Sequence, residues 1–226
     1  MSVVPERIHG AWTEAWERRQ ISAILARLPV WVTPDHFTFL GLAGAAIAGL
    51  CYALSGNSPL FLFGAIGGLS LNWVGDTLDG NLARARKAER PRYGFFIDHS
   101  CDVLSQLCIF LGIGASPYSH MSSACLALLA YWLATLMSLI TLVATGKFQI
   151  VYWGVGPTEI RLALIAGTLL HLLTGPIVLA TWPSGPVTLV DLLFAGVFGS
   201  VLGAYVFLMW KTGYRLLHEA ANRLDG

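Results

Sequence analysis

Four aspartates hold the chemistry of this chain. They lie in two short runs, Asp76-Thr77-Leu78-Asp79-Gly80-Asn81-Leu82-Ala83-Arg84 and Gly94-Phe95-Phe96-Ile97-Asp98-His99-Ser100-Cys101-Asp102. Both runs adjoin long apolar stretches. A charge at the centre of a membrane helix costs roughly 2.5–3.5 kcal/mol on insertion scales, so acids in such surroundings are functional candidates. Asp76 and Asp79 are three positions apart, and Asp98 and Asp102 four, so each pair shares one face of a helix. Two such faces turned together make a nest of four carboxylates. Two like charges about 4 Å apart repel by roughly 4 kcal/mol at an effective dielectric near 20. The nest must therefore be partly protonated or filled by divalent cations. Oxygen ligands without His or Cys at matching spacing favour Mg²⁺, Mn²⁺ or Ca²⁺ over Zn²⁺. Mg²⁺ commonly shares its shell with substrate phosphates, so the first expectation is a diphosphate gripped by metal at a membrane surface.

The elements that position these acids follow from composition. The chain has 226 residues, 55% hydrophobic and only 12% charged, against about a quarter charged in a soluble domain. The net charge of +1 gives no nucleic-acid footprint. The expected fold class is all-α: an integral membrane bundle of six transmembrane helices with an N-terminal amphipathic interfacial helix. The six spans are expected at 37–54, 60–83, 93–116, 122–144, 159–180 and 187–209, each about 20 residues. Residues 1–34 form the amphipathic segment, 35–212 the six-helix domain and 213–226 a C-terminal tail. Helical spacing runs through residues 5–28, with a kink expected near Arg19; Trp12 and Trp16 suit the headgroup layer. All 14 Lys and Arg fall in the N-terminal segment, the 84–93 loop, the 147–161 region or the stretch that follows the sixth span at 209. With six spans these lie on one side. The positive-inside rule then places both termini and the acids on the cytoplasmic face, as in a bacterial inner membrane. Gly41, Gly44, Ala48 and Gly49 in the first span, and Gly64, Gly67 and Gly68 in the second, let helices approach closely. Cys51, Cys101, Cys108 and Cys125 have no metal-ligand spacing and read as small buried residues. Asp191 reads as a helix-start residue at the opposite face or as a structural partner inside the bundle.

The pattern Asp-x2-Asp-Gly-x2-Ala-Arg, a spacer, then Gly-x3-Asp-x3-Asp resembles the signature of the CDP-alcohol phosphotransferases. Every fixed position is present; the spacer between Arg84 and Gly94 is nine residues where the family usually has eight. The resemblance implies transfer of a substituted phosphate from a CDP-linked donor, CDP-diacylglycerol or a CDP-alcohol, to an alcohol acceptor with release of CMP. It implies a two-metal site of Mg²⁺ or Mn²⁺ on Asp76, Asp79, Asp98 and Asp102, with Asp102 also the general base. It implies that Gly80, Ala83 and Arg84 meet the donor's cytidine and phosphates, and that two chains form a homodimer among membrane lipids. On the acceptor side, Arg161 is a candidate phosphate ligand, with Lys147 and Glu159 nearby. Asp98-His99-Ser100-Cys101-Asp102 and Gly156-Pro157-Thr158-Glu159 also look like pieces of the choline and ethanolamine phosphotransferases, which are much longer. His99 lies one residue off the acid face and reads as packing; His171 reads as structural. Two rival classes fit part of the pattern. Intramembrane prenyltransferases hold a diphosphate on Mg²⁺, but their acidic motifs lie far apart and give Gly80, Ala83 and Arg84 no role. A cation transporter predicts a second, symmetry-related acid cluster, which the sequence lacks.

Overall fold

The computed structural model describes residues 6–8, 21, 24–25, 27–149, 156–183 and 185–224. Six helices occur among them: α1 Pro34–Leu54, α2 Phe61–Ala85, α3 Pro91–Gly114, α4 Met121–Thr145, α5 Pro157–Thr174 and α6 Leu189–Leu224. Four are long and apolar enough to cross a membrane: α1, α3, α4 and α6 over Leu189–His218. The other two of the six expected spans carry the polar residues that matter most. α2 holds Asn72, Asp76 and Asp79, and α5 holds Glu159 and Arg161. The protein is a multi-pass membrane protein, and its apolar exposed side chains, such as Leu50, Phe63, Val143 and Leu173, cover helix faces that lipid would solvate.

Helix ends follow local chemistry. Pro34 opens α1 behind Thr33, whose amide donates to His36 Nδ1 at 3.0 Å. At the far end of α2, Lys87 adopts φ 53°. The amides of Lys87 and Ala88 donate to the carbonyls of Arg84 and Ala83 at 3.1 and 2.9 Å, the two bonds of a Schellman ending. Arg86 then donates to the carbonyls of Leu28, Pro29, Val30 and Val32, and Arg90 pairs with Asp35. The segment before α1 is thereby tied to the α2–α3 loop.

α1 is the central element. It packs along α2 on one side and α3 on the other, while α2 and α3 scarcely touch each other. The contact is backbone to backbone. A Cβ on Gly75 would lie 2.4 Å from the Gly41 nitrogen, one on Gly68 2.6 Å from the Gly44 oxygen, and one on Gly112 2.2 Å from the Gly49 oxygen. The small-residue stripe predicted from sequence holds at Gly41, Gly44, Gly49 and Gly68, and Gly75 and Gly112 extend it. Gly67 meets nothing within 4 Å and has no part in it. Above the seam, Ala45, Tyr52, Leu62, Leu69, Ile109 and Phe110 form the main core. α4 packs on α3, α6 on α4, and α5 on α2.

Three expectations change. Glu6–Ile8 is not the start of a helix but a short strand β1, pairing parallel with β2, Lys147–Gln149; the pairing satisfies backbone groups that a helix would satisfy internally. Residues 9–20, including Trp12, Trp16 and the expected kink, lie outside the described residues. The fifth span, expected to reach Ala180, stops at Thr174. Gly175 at φ 71° ends the helix and Pro176 cannot continue it. The apolar run beyond becomes a hairpin of β3, Val178–Trp182, and β4, Gly185–Thr188. The sixth helix starts two residues later than expected and runs on to Leu224, so residues 213–224 of the expected tail are helical.

The end of the bundle away from the acids is closed by Asp191. Its carboxylate accepts from Ser119 Oγ at 2.9 Å, the His120 amide at 2.8 Å, the Thr188 amide at 2.9 Å and Thr188 Oγ1 at 3.0 Å. The Thr188 hydroxyl also takes the Asp191 amide at 3.3 Å, a reciprocal arrangement at the start of α6. Both readings of Asp191, helix start and internal partner, hold together.

Candidate active site

The site lies in the gap that α1 leaves between α2 and α3. Asp76 comes from α2, and Asp98 and Asp102 from α3; one carboxylate oxygen from each lies within 4.8 Å of the others. All three are half-buried. The i, i+4 spacing on α3 turns Asp98 and Asp102 to one face, as the sequence predicts.

Asp79 lines the same cleft but is held apart from the three. It is 8% exposed, and its carboxylate accepts from Thr38 Oγ1 at 2.8 Å and from the Gly80 amide at 2.5 Å. Thr38 comes from α1, so the packing of α1 on α2 fixes this acid.

One cation reaches the cluster from α5. Arg161 is buried and donates through Nη1 to Asp76 Oδ2 at 2.6 Å and through Nε to Asn72 Oδ1 at 2.7 Å. Its Nη2 lies 4.0 Å from Asp102 Oδ1. Asn72 in turn donates to the Gly41 carbonyl at 3.0 Å. A chain of polar contacts therefore links α1, α2 and α5 beneath the acids. Asn72 precedes Asp76 by one turn on the same face, and that spacing was the available signal for it. Thr38 and Asn72 are the site residues that sequence reasoning missed.

The other predicted residues fall around this centre. Gly80 and Ala83 are half-buried on α2, and Arg84 is exposed beyond them. Arg84 Nη2 donates to Asn81 Oδ1 at 2.9 Å, and a Cβ on Gly80 would meet the guanidinium at 3.4 Å. Glu159 turns back to accept from the Gly156 amide at 2.9 Å, closing the N-terminal turn of α5. Lys147 lies in β2, and its side chain is outside the described residues. His99 stacks on Phe95 with ring centroids 4.2 Å apart, in keeping with packing.

The donor set suits a hard divalent cation. Three carboxylates converge without His or Cys, and such oxygen sets match Mg²⁺ or Mn²⁺. Like charges this close require a positive partner, and Arg161 supplies one from a single side.

Comparison with known proteins identifies relatives of this chain. The family described as CDP-alcohol phosphatidyltransferase matches residues 31–208, a range covering α1 to α5 and most of α6. Cholinephosphotransferase 1 of Homo sapiens is 28% identical over 126 residues, covering 53% of this chain and 27% of the human protein. The Gallus gallus protein of the same name is 28% identical over 117 residues, covering 46% of this chain and 34% of its own. The matched part of this chain thus corresponds to about a third or less of the curated relatives' length. With the family match spanning most of its length, the chain belongs to the CDP-alcohol phosphatidyltransferase family.

Proposed function

We propose that this protein transfers a substituted phosphate from a CDP-linked donor to an alcohol acceptor and releases CMP, as a step in phospholipid synthesis. The convergence of Asp76, Asp98 and Asp102 on one point between two helices carries the proposal. Asp102 faces the acceptor and takes the proton of its hydroxyl. The acceptor oxygen bonds to the phosphorus that bears the donor's alcohol, as the bond from that phosphorus to the CMP oxygen breaks in line. Mg²⁺ or Mn²⁺, held by Asp76, Asp79, Asp98 and Asp102, would supply neutralising charge on the diphosphate.

Gly80 and Ala83 leave room beside α2 for the cytidine. Arg84 folds over Gly80 to meet a donor phosphate, its planar fork matching phosphate oxygens. Arg161 lies on the acceptor side of Asp102, with Lys147 and Glu159 in the same region of the chain. The names of the relatives point to choline phosphate as the group transferred, so CDP-choline is the first donor to assay, with CDP-diacylglycerol beside it. The same reading places the acid end on the cytoplasmic face, in a bacterial inner membrane, and pairs two chains as a homodimer.

The test is CMP release by Asp102→Asn in detergent with Mg²⁺. Turnover should disappear while the thermal unfolding midpoint stays near wild type. Undiminished turnover would remove Asp102 as the base.

A further inference from the structure

Among the described residues, three buried side-chain polar atoms lack a hydrogen-bond partner, and one of them, on Gln106, borders the proposed base. Gln106 follows Asp102 by four residues on α3, one turn further from the acid end and on the same face. It is 7% exposed, and its Oε1 has no hydrogen-bond partner. A buried acceptor without a donor is unfavourable by about 1–3 kcal/mol. Gln106 lines a cleft between α3, α4 and α5 that also takes in Asp102 and Arg161 and is walled by Ile109, Phe110 and Tyr131. The cleft thus joins the proposed base to an unsatisfied amide oxygen across a largely apolar wall.

We infer that this cleft receives the acceptor as an uncharged alcohol with an apolar body and two hydrogen-bond donors: the reacting hydroxyl at Asp102 and a second hydroxyl at Gln106 Oε1. The inference rests on the transfer reading, because it takes Asp102 as the base. A single hydroxyl has one proton and gives it to Asp102, so Oε1 requires a donor of its own. Charge argues for neutrality. Among the described residues Arg161 is the one cation lining the cleft, and its Nη1 and Nε are already spent on Asp76 and Asn72 at 2.6 and 2.7 Å. A phosphate in the cleft would sit against the Asp102 carboxylate, and among the described residues no unpaired cation lines the cleft to receive it. A neutral diol satisfies Oε1 and leaves Arg161 in place.

The experiment compares three acceptors on the full chain in nanodiscs, with CDP-choline and with CDP-diacylglycerol as donors. 2-Oleoylglycerol is neutral with two hydroxyls, dioleoylglycerol is neutral with one, and glycerol 3-phosphate is charged. Wild type should use 2-oleoylglycerol with the highest kcat/KM and glycerol 3-phosphate with the lowest. Gln106→Met should raise KM for 2-oleoylglycerol about fivefold, the scale of one neutral hydrogen bond. It should leave KM for dioleoylglycerol, KM for the donor and Mn²⁺ binding unchanged. An equal rise for both neutral acceptors marks Gln106 as packing and overturns the inference, as does a preference for glycerol 3-phosphate. Retention of radiolabelled 2-oleoylglycerol is read in parallel. If no donor yields CMP but wild type retains the lipid and Gln106→Met does not, the transfer reading fails and the cleft assignment stands. If wild type retains none, the cleft assignment fails.

Discussion

Removing Arg161 tests how the acids tolerate one another. At 4.8 Å, the outer limit of the separations among the three oxygens, two carboxylates repel by about 3.5 kcal/mol at an effective dielectric near 20. Three such pairs are too many for a cluster without a cation. Arg161 supplies that cation, with a side chain 9% exposed and Nη1 2.6 Å from an Asp76 that is 24% exposed. Breaking a buried pair by deleting one partner costs about 3–5 kcal/mol; the partial exposure of Asp76 points to the lower end, near 3 kcal/mol. Arg161→Met, close in length and apolar, should therefore lower unfolding stability by about 3 kcal/mol in detergent with EDTA. Millimolar Mg²⁺ should recover much of the loss, because a bound cation does for the carboxylates what the guanidinium did. Ligand linkage makes this quantitative, adding about 2.7 kcal/mol at a hundredfold excess over Kd. The assay is thermal unfolding of both proteins with and without Mg²⁺, together with Mn²⁺ affinity by electron paramagnetic resonance. The variant should show the larger Mg²⁺-induced shift and the tighter Mn²⁺ binding. An identical loss in EDTA and in Mg²⁺, with unchanged Mn²⁺ affinity, would show that Arg161 is not the charge partner of the cluster.

The remaining predictions concern packing and the far end of the bundle. Gly112→Ala puts a Cβ 2.2 Å from the Gly49 oxygen, and the two helix backbones must part; a loss of about 1–3 kcal/mol follows from such overpacking. Gly67→Ala, with nothing within 4 Å, should be neutral or stabilise by up to about 1 kcal/mol through helix propensity. Equal midpoints for the two variants in thermal unfolding would contradict the backbone contact. Asp191→Asn keeps one acceptor oxygen but turns an amide donor toward groups that themselves donate; about 3 kcal/mol of stability should go, on the scale of hydrogen bonds to a charged acceptor. CMP release per folded molecule should hold, since Asp191 lies at the other end of the bundle, and a matching fall in specific activity would undo that separation.

The parts of this protein that were legible in sequence are those where a rule is broken at a cost. Asp76, Asp98 and Asp102 stand out because charges beside apolar runs are expensive, and their spacing alone brings two of them to one helix face. Gly44, Gly68 and Gly112 differ from Gly67 only in what lies opposite, which spacing along one helix does not encode; Gly112 was not singled out at all. Asn72, Thr38 and Gln106 are uncharged, and a lone neutral polar residue in a membrane helix is common. Their roles depend on partners 41 and 89 positions away, as in Thr38 with Asp79 and Asn72 with Arg161. The end of α5 was hidden for a different reason. Gly175-Pro176 is a stop signal, but the apolar residues after it continue the hydropathy of the helix, and hydropathy does not distinguish helix from hairpin.

α1 bears none of the acids, yet it acts as the spacer that gauges the distance across them. The helices on either side rest against it through glycines and not against each other, so its thickness is the width of the gap. A helix with glycines at its closest approaches behaves there like a machined shim: any atom added at those points is transmitted to the opposite edge. A variant at Gly49, which faces Cys108 and does not line the acid cleft, should therefore look kinetically like damage to the acids themselves.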